Sequence, residues 1–279
     1  MKIARASYAD TTSYGIIDGE VFSPYESVNL LSLLQGAARP TGPAIPLSRI
    51  RLRAPVPQPG KLVCIGLNYR DHCIEQNIPV PERPIIFSKF SSSIADPFVP
   101  VLRPPETQQL DFEAELAVVI GSAAHDVPMA GALDHVFGYT IFNDISARDL
   151  QFGDSQWTRG KSFPTFGPMG PWITTADEVA DPQALAIKTQ LNGMVVQDSS
   201  TAHMVFGVAE LISYVSRLGL EAGDVIVTGT PAGVGVFRKP PIFLQAGDEI
   251  EIDGLGILVN SVADADLSPL SPKYALTPG

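Results

Sequence analysis

Two acidic residues one position apart, Glu113 and Glu115, precede an unbroken apolar run that stops at Gly121. An apolar run closed by glycine reads as a buried strand, with Asp111 near its start. Alternation along a strand would send Asp111, Glu113 and Glu115 to one face. Like charges on one face repel, so a positive species belongs between them. A hard divalent cation fits, because it takes oxygen ligands from carboxylates. Asp144, which ends a second apolar segment over residues 137–142, would add a third carboxylate to Glu113 and Glu115. All-carboxylate ligation with little histidine suits Mg2+ or Mn2+ better than Zn2+. The competing reading is a set of scattered acidic residues on a solvated face.

A second pair with chemical meaning is His72 and Glu75. Residues 69–76 read as one or two helical turns behind Asn68 as N-cap, which puts positions i and i+3 on one face. A carboxylate beside imidazole orients it and raises its basicity, so the ring can take a proton from water. A surface helix pair without a role is the alternative. It is not a zinc-protease motif, which needs two histidines around the glutamate. Lys89 and Lys161 each abut apolar, strand-like segments in a chain with only 19 basic residues. A buried lysine there can hold a substrate anion or stabilise developing negative charge; an ordinary salt bridge is the plainer reading. Residues 228–235 (TGTPAGVG) lack both the P-loop ending and the G-x-G-x-x-G spacing. Their backbone amides can still form an anion nest for a carboxylate, or simply a tight turn. No G-x-S-x-G nucleophile elbow occurs.

The elements that must position these groups are mostly strands. Residues 1–54 read as a small separate unit of short strands, with Asp18-Gly19 as a hairpin turn and a helix over residues 29–35 capped by Ser27. Residues 55–60, with prolines at alternate positions, read as an extended linker, and residues 61–279 as the main domain. Within it, Asn192-Gly193 marks a hairpin, and residues 208–218 carry Val208, Leu211, Ile212, Val215 and Leu218 at helical spacing. Many strands without regular βαβ alternation make the fold class α+β, mainly β. The 279 residues are 45% hydrophobic and 18% charged, as in a globular protein with a sizeable core. A net charge of −11 disfavours nucleic acid and anionic membranes as partners. The absence of an apolar signal core or long apolar span makes the cytoplasm the simple location. Cys64 and Cys73 have no metal spacing and read as buried free thiols.

Six ordered motifs between about Lys61 and Ala263 resemble the fumarylacetoacetate hydrolase family, in particular its short acylpyruvase-like branch. They are IGLNYRDH with Glu75, FSK ending at Lys89, DFEAEL over residues 111–116, NDISARD over residues 143–149, GKSF around Lys161, and the glycine-rich residues 228–235. The first 54 residues look like that family's small N-terminal cap domain. The resemblance implies a mixed β-sandwich roll, usually a homodimer, holding Mg2+ or Mn2+ by Glu113, Glu115 and Asp144. It implies His72 and Glu75 as a water-activating dyad on a segment that orders as a lid. Lys161 and Gln151 then fall at substrate and oxyanion positions, Thr230 at the substrate carboxylate beside Gly229, and Lys89 near the site. Pro164 departs from the aspartate many relatives carry after Lys-Ser-Phe. The expected activity is hydrolysis of a carbon–carbon bond in a 2,4-dioxo acid of the acylpyruvate type. Alternatives on the same metal site are oxaloacetate decarboxylation and isomerisation or tautomerisation of hydroxymuconate-type acids; a non-catalytic metal-binding β-domain ranks behind them.

Overall fold

The computed structural model describes residues 1–266 except 27, 37–39 and 41. Its largest sheet runs, neighbour to neighbour, through Ile45–Pro46, Val21–Pro24, Thr11–Asp18, Lys2–Tyr8, Gly167–Thr175, Val136–Asn143, Ala114–Ile120, Val225–Val227, Leu62–Gly66 and Ile85–Ser88. Most pairs are antiparallel; Val225–Val227 and Leu62–Gly66 run parallel. The helices are α1 (Leu30–Leu34), α2 (Arg70–Glu75), α3 (Arg148–Gly153), α4 (Thr158–Lys161) and α5 (Val208–Ser216). The mainly β, α+β fold expected from the sequence is what the structure has.

The central strand Ala114–Ile120 is buried at every position because both faces of the sheet are covered. Leu116, Val118 and Ile120 pack with Leu211, Ile212 and Val215 of α5, whereas Ala117 and Val119 pack with Phe142, Met169 and Ile173 on the other side. Each fully buried Leu, Ile or Val side chain contributes about 1.5–3 kcal/mol, so α5 is held by its stripe rather than by its nine-residue length. Leu218, expected on that stripe, lies beyond the helix and is exposed. A second sheet, Met194–Ser200, Ala186–Leu191, Glu249–Asp253, Ile257–Asp264 and Val101–Arg103, packs its Ile187, Ile250 and Leu258 against Phe112, Ala114 and Ile141.

Some local expectations change. The acidic strand is not continuous. Leu110–Asp111 pairs with Ser146–Ala147, the chain breaks at Phe112 and Glu113, and only Ala114–Ile120 joins the large sheet. Phe112 turns into the core between the sheets, so strict alternation fails there and Asp111 leaves the shared face. Asn68 does not cap α2, whose N-cap is Tyr69 with no side-chain bond. Its amide instead ties three backbone groups, donating to Phe206 and Thr228 carbonyls and accepting from Phe206 N–H. Asn29 caps α1, while Ser27 lies outside the described residues. Strand Lys2–Tyr8 hydrogen-bonds to Gly167–Thr175 at Lys2 and Ile3, so the N-terminal strands continue the large sheet. Ala54, Pro55 and Val56 are buried, and Tyr14 Oη donates to the Pro55 carbonyl at 2.9 Å.

Candidate metal centre and active site

Asp144 sits one residue past the strand Val136–Asn143, and its N–H donates to the Glu113 carbonyl at 2.8 Å. That bond brings a strand end against the chain break. Glu113, Glu115 and Asp144 each then offer a carboxylate oxygen within 4.8 Å of the others, all buried. Three cations interleave with them. Lys161 Nζ donates to Glu113 at 2.9 Å, Asp144 at 2.6 Å and Ser146 Oγ at 2.8 Å. Lys89 Nζ donates to Asp144 at 2.6 Å and the Ile145 carbonyl at 3.1 Å. Arg148 reaches Glu113 at 2.6 Å and Asp111 at 2.8 Å.

Asp111 is therefore not a fourth metal ligand. It accepts from Arg148 Nε and from the N–H groups of Gly235 and Val236, fixing the guanidinium and the glycine-rich loop together. Gly235 must be glycine, since a Cβ there would lie 1.9 Å from the Ile242 carbonyl. The loop over residues 228–235 does bind carboxylates, but the chain's own: Gly229 N–H donates to Glu115 and Gly233 N–H to Glu75 at 2.9 Å. Thr228, Gly229, Gly233 and Gly235 amides are thereby taken by the protein itself, and Gly229 stands behind Glu115 rather than on the cavity.

Electrostatics separate the three ligands. Burial pushes Glu113 up, but Lys161 and Arg148 outweigh it and bring the carboxyl down to about 2. Glu115 has no cationic side-chain partner among the described residues. Burial, then the charges of Asp144 and Glu113, hold it well above the usual carboxylate range. A divalent cation among these oxygens would supply the missing charge, and the hard, all-oxygen donor set fits Mg2+, Mn2+ or another hard divalent ion.

Glu113 and Glu115 open onto a cavity of about 90 Å³. His72, Gln76, Glu113, Glu115, Arg148, Gln151, Lys161 and Thr230 border it, and Phe152, Trp157 and Phe237 supply apolar wall. His72 is buried, with Nδ1 2.7 Å from Glu75 Oε2, so the spacing-derived pair forms. Helix α2 is tied to the rest of the protein by Ser199 Oγ donating to Asp71 at 2.8 Å, by Arg70 donating to the Met204 carbonyl, and by the bond from Gly233 to Glu75.

Of the residues expected to touch substrate, Gln151 and Thr230 border the cavity. Lys89 does not: it is fully buried on the far side of Asp144, where burial lowers its pKa while Asp144 pulls it back up. Lys161 borders the cavity, yet its three protons all go to protein acceptors. Sequence reasoning missed Arg148. Its Nη2 is buried without a partner, whereas nearly all buried polar atoms have one. The lone signal for it was an arginine four residues after Asp144.

A family model for the fumarylacetoacetate hydrolase C-terminal domain matches residues 61–263, and an Rv2993c-like N-terminal model matches residues 1–55. The chain is 48% identical over 263 residues to the mitochondrial oxaloacetate tautomerase FAHD2A of Bos taurus, covering 89% of this chain and 84% of that protein. It is 52% identical over 220 residues to the mitochondrial oxaloacetate tautomerase of Xenopus laevis, covering 77% and 69%. Among solved structures, fumarylacetoacetate hydrolase from Exiguobacterium antarcticum superposes with TM-score 0.86 at 38% identity, over 95% of this chain and all of that one. A 2-hydroxyhepta-2,4-diene-1,7-dioate isomerase from Mycobacterium marinum gives 0.82 at 37%, over 95% and 99%. Both curated relatives carry mitochondrial names, which lends the cytoplasmic expectation no support. No helix among the described residues is long and apolar enough to cross a membrane.

Proposed function

We propose that this chain, which belongs to the fumarylacetoacetate hydrolase family, is a divalent-metal-dependent keto–enol tautomerase of a small dicarboxylic 2-oxo acid of the oxaloacetate type. The observation that carries this reading is one cavity bordered by Glu113 and Glu115 of the buried carboxylate triad and by the guanidinium-bearing Arg148. A dicarboxylic 2-oxo acid has two anionic ends to anchor. The relatives named as oxaloacetate tautomerases and the isomerase fold-mate support the same choice.

Glu113, Glu115 and Asp144 would hold Mg2+ or Mn2+, with Lys161 and Lys89 orienting the carboxylates. Such an ion supplies Lewis-acid polarisation of a 2-oxo acid. Arg148, on the cavity wall, supplies positive charge towards a substrate carboxylate or the C2 oxygen as charge develops there, with its Nη1 donating to Gln151 Oε1 at 3.0 Å. In the enolising direction His72 takes the C3 proton, Glu75 stabilises the charge that the ring gains, and the C2 oxygen takes a proton in return; ketonisation runs the same transfers in reverse, the ring delivering its proton to C3. Lys161 acts through the ligands it grips.

Hydrolysis, the first expectation from the sequence, would use the same dyad on water. It keeps the Exiguobacterium fold-mate in its favour, whereas the curated relatives named as tautomerases favour ketonisation. The homodimer belongs to this reading too, supported by exposed Ile85, Ile86 and Phe90 on and beside the sheet's edge strand; sedimentation tests it.

Conversion of enol- to keto-oxaloacetate, followed by ultraviolet absorbance with Mg2+ and with EDTA, tests the activity. Pyruvate release from oxaloacetate and from an acylpyruvate is measured alongside. We expect metal-dependent ketonisation to be the fastest of the three. Acylpyruvate cleavage without accelerated ketonisation would return the reading to hydrolysis.

A further inference from the structure

The His72 ring is held at both nitrogens. Nδ1 lies 2.7 Å from Glu75 Oε2, and Nε2 lies 2.7 Å from the Gln76 amide nitrogen. An amide nitrogen only donates, so ring Nε2 is the acceptor and the ring proton sits on Nδ1, where Glu75 receives it. Gln76 is the C-cap of α2, four residues after His72, so its side chain returns along the same face. Both residues border the cavity. Phe237 stands edge-on to the ring at 5.8 Å between centroids, filling space on another side of the imidazole.

We propose that Gln76 is a positioning residue for His72: its amide N–H occupies the Nε2 lone pair in the resting protein, fixes the Nδ1–H tautomer, and is displaced when substrate fills the cavity. This rests on reading His72 as the base. Nε2 is the only ring atom with a lone pair, and it is stoppered. Taking a proton from substrate carbon requires the amide to leave, so one neutral hydrogen bond is exchanged for the proton. An alternative is a C-cap side chain that rests near the ring without consequence.

The test uses the full-length protein with 15N labelling. Wild type without ligand should show His72 as a neutral ring protonated on Nδ1, with Nε2 in a hydrogen bond. Mg2+ and oxalate together should shift Nε2 and the Gln76 side-chain amide, which Mg2+ alone should not. Gln76→Met keeps the bulk and removes the donor. Because the amide has already left the ring in the loaded enzyme, this variant should keep kcat and lower KM by up to roughly tenfold, the size of one neutral hydrogen bond, with Mg2+ affinity unaltered. Gln76→Asn, too short to reach, should behave alike. A ring protonated on Nε2, a Gln76 amide indifferent to Mg2+ with oxalate, or unchanged KM in both folded variants would overturn the proposal. Full activity in His72→Ala would remove the base reading beneath it, and the wild-type spectra tell that failure from the others.

Discussion

The carboxylate–cation cluster and helix α2 present groups to the same cavity but are held in opposite ways. The cluster is carried by strands, their ends and the helices α3 and α4, is wholly buried, and sets four carboxylates against three side-chain cations, every carboxylate but Glu115 being ion-paired. Helix α2 is six residues long, has no side-chain N-cap and is fastened by a few polar tethers, with Ile74 on its outer side 78% exposed. A buried charge network has one good arrangement, since moving any member strands another charge. A short tethered helix can open at the cost of a few hydrogen bonds. The fixed half suits binding an ion; the movable half suits admitting substrate and then presenting a base.

Removing a ligand should have the largest effect. Glu115→Gln is expected to weaken Mn2+ binding by more than about 100-fold and abolish metal-dependent ketonisation. Because Glu115 is the ligand with no cation beside it, the metal-free variant should melt at or above the wild-type temperature. Calorimetry and melting curves check this; a large loss of metal-free stability would show that the two halves are not so differently built. Next comes Glu75→Ala, which should cost roughly 10²–10⁴ in turnover, the usual share of a positioned general base. Metal affinity should be unchanged, since the dyad sits on the other element. A parallel loss of metal binding would erase the division between the regions.

The charge imbalance also predicts a pH dependence. Glu115 is raised in the folded chain, so the stability it contributes is fully present below its unfolded value, about 4.3, and is lost as pH climbs towards its folded value. Glu113, pulled down to about 2 by Lys161 and Arg148 against burial, does the reverse: its contribution is lost as pH falls from about 4.3 towards 2. Filling the site should therefore expel a proton from Glu115, and Mn2+ affinity should rise with pH. Titration in two buffers of different ionisation enthalpy should show release of about one proton per ion; no buffer dependence would place Glu115 already ionised. The smallest effect is expected of Ser199→Ala, which cuts one tether of α2. Amide exchange over residues 70–76 should quicken severalfold, while stability changes by about 1 kcal/mol or less. Exchange as slow as in the central strand would make α2 part of the fixed half.

Legibility in the sequence followed the same divide. Local spacing was enough for Glu113 and Glu115, for Asp144 at a strand end, and for His72 with Glu75, because each depends on a period or a boundary a few residues long. The reasoning still misplaced Asp111, since alternation assumes an unbroken strand and Phe112 breaks it for a core contact. Arg148, Ser199 and Phe237 were silent because their partners lie far along the chain, Asp71 being 128 residues from Ser199. Asn68 looked like a cap because it precedes a helix; its three bonds run to residues 206 and 228. The mainly β class was legible from punctuation by glycine and proline. The pairing of Lys2–Tyr8 with Gly167–Thr175 was not, since no local pattern encodes a neighbour that distant.

That last pairing has a consequence for how the chain is made. Lys2–Tyr8 already has a local partner in Thr11–Asp18, so this hairpin can form soon after it leaves the ribosome. Its Lys2–Ile3 edge is completed by Ile173 and Thr174. At about 5–20 residues per second those partners emerge roughly ten to thirty seconds later. For that interval the nascent hairpin carries an open edge of the kind that recruits stray strands. Chaperone demand during synthesis should fall once translation passes residue 175, well before the last strand of the second sheet, Ile257–Asp264, has been made.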